Sequence, residues 1–162
     1  MRMANEFAIA FVIVGICVVI HTVSVVVFAE WLLGKRDAIE RRPSLWPYAF
    51  LLSLVFAVLI LLHIGETGVW AAFYYWRGLF ADYETCLYFS LTSYTTIGYG
   101  DVVLPQTWRL VGAIEGISGV LLCGLSTAFV FAVVNALFRI RIKQRRRSRR
   151  VAEPGTAAKQ IR

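Results

Sequence analysis

The residues best suited to do chemistry form one run, Thr95-Thr96-Ile97-Gly98-Tyr99-Gly100-Asp101. Glycines at alternate positions reach backbone angles closed to other residues, which lets successive carbonyl oxygens face one side. A strand with unpaired backbone groups is not tolerated in lipid. At membrane depth it exists only where it is buried in protein or lines a pore. The remaining candidates stand singly. Glu115 lies inside an apolar stretch, where a carboxylate is costly unless partnered. It is expected to pack behind the segment preceding Thr95, bonded to a hydroxyl such as Thr92 or Ser93, with structural support weighed ahead of a functional role. His21, beside Thr22 and Ser24, reads as a neutral, hydrogen-bonded helix contact. His63, close to Glu66, reads as an interfacial histidine, with external proton sensing as the sharper alternative. Cys17, Cys86 and Cys123 sit in apolar segments with neither a disulfide framework nor metal-ligand spacing.

The elements that must hold these residues are apolar. Of 162 residues, 59% are hydrophobic and the mean hydropathy is +0.67, which takes the chain out of the ordinary soluble class. Three stretches are long enough to cross a bilayer: Phe7 to Leu33, Tyr48 to Ile64, and Leu110 to Phe138. The first is too long for the apolar region of a signal peptide, and Val27-Phe28-Ala29 is a weak cleavage site. Between the second and third lies an aromatic-rich segment, 65–106. Within it Tyr83 to Tyr94 contains no Gly or Pro and follows Asp82, a plausible N-cap. At roughly 18–20 Å this helix is too short to span and must be re-entrant. Trp108 and Arg109 mark the start of the third stretch.

Charge sets the orientation. Lys35, Arg36, Arg41 and Arg42 lie in the first loop, and eight of the twelve residues from Arg139 to Arg150 are basic. The 65–106 segment holds Arg77 against Glu66, Asp82, Glu84 and Asp101. The positive-inside rule places the first loop and the tail in the cytoplasm and the 65–106 segment outside. Three crossings and a short external N-terminus satisfy this. A first helix that never crosses is the alternative.

Thr96-Ile97-Gly98-Tyr99-Gly100 resembles the potassium-channel signature, with Ile where many members have Val. Taken with its half-length helix and two flanking spans, the resemblance covers residues 45 to 140 and implies a pore domain of outer helix, pore helix, filter and inner helix. It implies K+ sites at the carbonyls of Thr96, Ile97, Gly98 and Tyr99 and the Thr96 hydroxyl, closed by Gly100, with Tyr99 packing outward. The pore helix would aim its partly negative C-terminal end at a central cavity. Asp101 would stand at the outer mouth and concentrate cations. Gly119 falls where a gating-hinge glycine is expected. Close packing through Gly112, Gly116 and Gly119 is an equal alternative. Val120, Cys123 and Thr127 share one helix stripe, which by resemblance faces the cavity. Many bacterial members carry Glu four residues before the filter Thr. Thr92 stands there instead, so a carboxylate bond from that position to Asp101 is absent. Trp70, Phe73, Tyr74, Tyr75 and Trp76 resemble an interfacial aromatic belt.

The expected fold is therefore an all-α membrane protein with three transmembrane helices and a re-entrant pore helix and filter loop. Its parts are an N-terminal helix (1–33), a cytosolic loop (34–46), a pore domain (47–138) and a basic cytosolic tail (139–162), the tail reading as disordered beyond Val151. One filter per chain implies a homotetramer with a four-fold axis. The expected function is passive K+ flux across a membrane, most naturally the plasma membrane. No cofactor is expected beyond K+ ions in the filter, and no group is placed for covalent chemistry, so no enzyme is expected. The basic run anchors topology and could bind anionic lipid; nucleic acid is not expected. The first helix carries no Arg series of the voltage-sensing kind. A non-selective cation channel of the same fold and a non-conducting regulatory membrane subunit are the competing readings.

Overall fold

The computed structural model describes residues 2–35 and 46–152. It contains four helices among them: α1 (Arg2–Gly34), α2 (Trp46–Trp76), α3 (Tyr83–Tyr94) and α4 (Arg109–Ala152), the last entered through a 3-10 turn at Gln106–Trp108. Three of these, α1, α2 and α4, are long and apolar enough to cross a membrane, and α3 is not. The protein is an all-α membrane protein. The expected cytosolic loop lies, from 36 to 45, outside the described residues, as does the tail from 153 onward.

Helix α1 is rich in Val and Ile, residues with modest helix propensity in water. In lipid every backbone group must be satisfied within its own segment, and that demand overrides side-chain preference. Thr22 follows suit by returning its hydroxyl to the carbonyls of Val18 (2.7 Å) and Val19 (3.2 Å).

Helix α2 corrects the sequence-based boundary. It does not stop at Ile64 but continues for twelve residues through Gly65-Glu66-Thr67-Gly68 to Trp76. Tertiary contact explains the continuation. Ser90 on α3 bonds the Thr67 carbonyl at 2.9 Å, and Tyr83 approaches the Gly68 carbonyl at 3.5 Å. The helix then ends on Gly78, whose φ of +63° suits only glycine without cost. Leu79 N–H bonds Tyr74 O and Gly78 N–H bonds Tyr75 O, the paired closure of a Schellman motif. The aromatic belt is corrected accordingly. Trp70 and Tyr74 are fully buried, while Tyr75 and Trp76 are exposed. The first pair forms core with α3; Phe89 meets the Tyr74 ring edge-on at 5.3 Å.

Helices α2 and α4 run antiparallel: Tyr48 bonds Gln144 at one end, and Arg77 lies over the Trp108 ring, 4.9 Å from its centre, at the other. Helix α1 runs parallel to α4, with His21 beside Ser126 and Phe28 beside Phe129. The start of α1 therefore lies at the same end as α3, where Ala10 and Ile13 join the cluster around Trp70 and Tyr74. Helix α4 continues without a break from its apolar part through the basic run from Arg139 to Arg150.

Candidate functional site

The half-length helix α3 is positioned as its sequence demands. Asp82 caps it, accepting from the Thr85 N–H at 2.7 Å and the Thr85 hydroxyl at 2.9 Å. The Thr85 backbone bond, and then its hydroxyl, hold the exposed Asp82 carboxyl below the ordinary carboxylate range. At the other end Thr95 N–H bonds Leu91 O, Thr96 N–H bonds Ser93 O, and Gly98 N–H reaches back to Thr92 O at 3.1 Å. The chain thus leaves the helix by a tight reversal rather than by fraying.

Beyond it the backbone alternates. Thr96 (φ +60°), Gly98 (+54°) and Gly100 (+81°) are left-handed, while Ile97 and Tyr99 between them are not. Alternating hands is how a strand turns successive carbonyls to a common side. The two glycines were legible; the left-handed Thr96 was not, because a β-branched residue rarely adopts that conformation. All residues from Thr95 to Gly100 are exposed within the single chain. Ile97 is 55% and Tyr99 69% exposed.

Asp101 has a partner that the sequence did not announce. Tyr88 donates its hydroxyl to Asp101 Oδ2 at 2.7 Å. This bond, above all, holds the Asp101 carboxyl below its ordinary value. Thr92 donates instead to its own helix at Phe89 O. The Asp101 carboxylate is thus tethered to α3 by Tyr88, four positions before Thr92.

Helix α4 crosses behind this strand through its glycines. A Cβ on Gly119 would lie 2.0 Å from Tyr94 O, and one on Gly116 would lie 3.1 Å from Ser93 O. One on Gly112 would lie 3.1 Å from the Phe89 ring. Close packing is thus a fact at all three, and α4 is unbroken at Gly119. Val120, Cys123 and Thr127 are all exposed on α4 within the single chain, with Cys123 Sγ 3.9 Å from His63 Nε2 of α2.

Glu115 is fully buried behind α3, as expected, but its partners differ from the expected Thr92 and Ser93. It takes the Tyr74 hydroxyl at 2.7 Å and forms a very short hydrogen bond with Ser90. One turn of helix carries Ser90 to the face toward α4. Ser90 has one hydrogen and two acceptors, Thr67 O and Glu115 Oε1. A protonated Glu115 completes the set, donating to Ser90 while Ser90 donates to Thr67.

The two histidines, read separately from the sequence, converge. His21 Nδ1 lies 2.8 Å from Glu66 Oε1, and His63 Nδ1 lies 3.2 Å from Glu66 Oε2. His21 Nε2 and His63 Nε2 both face Ser126 Oγ, at 3.2 and 3.0 Å. Tyr94, the last residue of α3, donates to Glu66 Oε2 at 2.5 Å and lies 2.9 Å from His63 Nδ1. His63 is therefore an internal contact of four helices and not a plain interfacial residue.

Comparison with known proteins agrees with this geometry. A family model described as ion channel matches residues 48–136, more than half of the chain, from the start of α2 to late α4. A calcium-gated potassium channel of Thermoplasma volcanium is 40% identical over 65 residues, covering 40% of this chain and 18% of that relative. The matched stretch is thus a small part of the relative's length. No solved structure matches the chain. The chain belongs to the ion-channel family, whose members are channels and not enzymes.

Proposed function

We propose that four copies of this chain assemble around an axis into a potassium-selective pore. The observation that carries the reading is the alternating left-handed backbone at Thr96, Gly98 and Gly100, at the foot of a capped half-length helix. In the proposed assembly the carbonyls of Thr96, Ile97, Gly98 and Tyr99, with the Thr96 hydroxyl, replace the hydration shell of K+. The C-terminal end of α3 faces a cavity lined by Val120, Cys123 and Thr127, and its partial negative charge favours a cation there. Asp101, tied to Tyr88, stands at the mouth and raises the local cation concentration. Gly119 serves packing first, and any bend of α4 there acts against Tyr94.

The membrane is the cell's plasma membrane, with the N-terminus outside and the basic C-terminal tail in the cytoplasm. The Lys and Arg excess in the first loop and in the tail supports this. The tail also offers anionic lipid headgroups a cationic surface. The Thermoplasma volcanium relative is a potassium channel, and its calcium gating belongs to a protein of which the matched stretch is 18%. The test is cation flux through the purified protein in liposomes. Potassium flux that barium blocks and sodium does not replace is the expected result. Equal sodium and potassium flux would establish the non-selective reading instead.

A further inference from the structure

We propose that His21, His63 and Glu66 form a binding site for one divalent transition cation of the zinc class, joining α1 to α2 behind the end of α3. The inference concerns a site outside the conduction path and does not depend on potassium selectivity.

Three observations carry it. First, the ligand atoms converge: one nitrogen from each imidazole and a carboxylate oxygen all lie within 4.8 Å of one another. Tetrahedral bonds of about 2.0–2.1 Å put neighbouring ligand atoms about 3.4 Å apart. The His21 Nδ1 to Glu66 Oε1 contact, at 2.8 Å, need open only by tenths of an ångström, and His63 Nδ1 stands 3.2 Å from the other carboxylate oxygen, Oε2. Second, the outer contacts are already those a metal-bound pair requires. With the cation on both Nδ1 atoms, each ring carries its hydrogen on Nε2, and both Nε2 atoms face Ser126 Oγ. One hydroxyl oxygen has two lone pairs and accepts both, fixing both tautomers together. Tyr94 meanwhile holds Glu66 Oε2, the second contact that ligating carboxylates need. Third, the donor set of two imidazoles and a carboxylate is that of borderline cations, whereas magnesium and calcium take oxygen sets. His21 and Glu66 are fully buried, so their chemistry is shielded from water. Cys123 Sγ, 3.9 Å from His63 Nε2, lies on the other side of that ring from Nδ1 and is not a ligand.

The chain contains two histidines in all, both in this cluster, so any imidazole-bound metal reports on it. The experiment titrates the purified full-length protein with Co2+ and follows visible absorption. The expected result is an intense tetrahedral-type spectrum saturating at one Co2+ per chain and displaced by Zn2+. Binding weakens by at least about 100-fold in His21→Gln, about 10–100-fold in Ser126→Ala, and stays unchanged in Cys123→Ser. A weak spectrum of the hydrated ion, or a strong one that survives His21→Gln, overturns the proposal. X-ray absorption at the zinc edge of the wild-type protein, which needs no variant to fold, is the second measurement. Two imidazoles per zinc support the site; none or one overturns it. Neither readout uses flux, so failure here and failure of the pore reading are separable.

Discussion

Single residues decide how closely the strand and the helices behind it approach. Gly119 has no room for a methyl group, because the obstacle at 2.0 Å is the Tyr94 carbonyl, part of the backbone. Gly119→Ala should therefore lower stability by about 1–3 kcal/mol as overpacking does. Gly15→Ala, in open space, should be neutral or slightly stabilising through helix propensity; thermal unfolding in detergent compares the two. The glycine pattern was visible in the sequence, but packing and hinge could not be separated there, since the deciding atom belongs to a residue 25 positions away. Asp101 carries the second prediction. Its pKa is depressed, so its bond to Tyr88 is fully present above the ordinary 3.8 and is lost only as pH falls through the lower, folded value. Tyr88→Phe removes the main cause, so the acid midpoint should move upward toward 3.8. Potassium uptake at low salt against external pH reads it; an unmoved midpoint would show that Tyr88 does not govern the carboxylate.

At the scale of elements, buried polar pairs hold the half-length helix against its neighbours. Tyr74 on α2, Ser90 on α3 and Glu115 on α4 meet in one fully buried set. Glu115→Ala leaves the Tyr74 hydroxyl without its acceptor and the Ser90 oxygen without its donor, each costing about 1–3 kcal/mol. Glu115→Gln keeps a donor for Ser90 and an acceptor for Tyr74, which matches the protonated acid, so it should cost far less. Denaturation of the two variants checks this; equal losses would mean that the charge itself is required. Here the sequence was partly legible. The Asp82 cap and the absence of Gly and Pro gave α3 its full extent, and the apolar runs gave the three spans. The extension of α2 was hidden because Gly65, Glu66, Thr67 and Gly68 look like a polar break. They remain helical because His21, Tyr94 and Ser90 supply their partners, and no local pattern announces a partner 45 residues away. Likewise Glu115 was expected to bond Thr92 or Ser93 but meets Ser90, one turn earlier, while Thr92 returns its hydroxyl to Phe89 O.

The whole molecule cannot be one chain if the pore reading is right. A single strand leaves Ile97 and Tyr99 more than half exposed, and it offers a cation oxygens from one side only. A dehydrated ion needs them all round. The groove between α3, the strand and α4, about 450 Å³ and bordered by Thr96, Gly98 and Val120, lies where a second copy would seat. Closed four-fold symmetry makes each strand equivalent, so one defective strand spoils every pore that contains it. Gly98→Ala suits this test, because φ is +54° there and alanine in a left-handed conformation costs roughly 1–2 kcal/mol. The variant alone should assemble with the same mass as the wild type but carry no flux. Co-expressed at equal amounts and randomly mixed, the chains should leave about one sixteenth of the wild-type flux, the fourth power of one half. A remaining flux near one half would mean that each chain conducts by itself. About one quarter would mean a dimeric pore, and either result would remove the four-fold axis on which the filter chemistry depends.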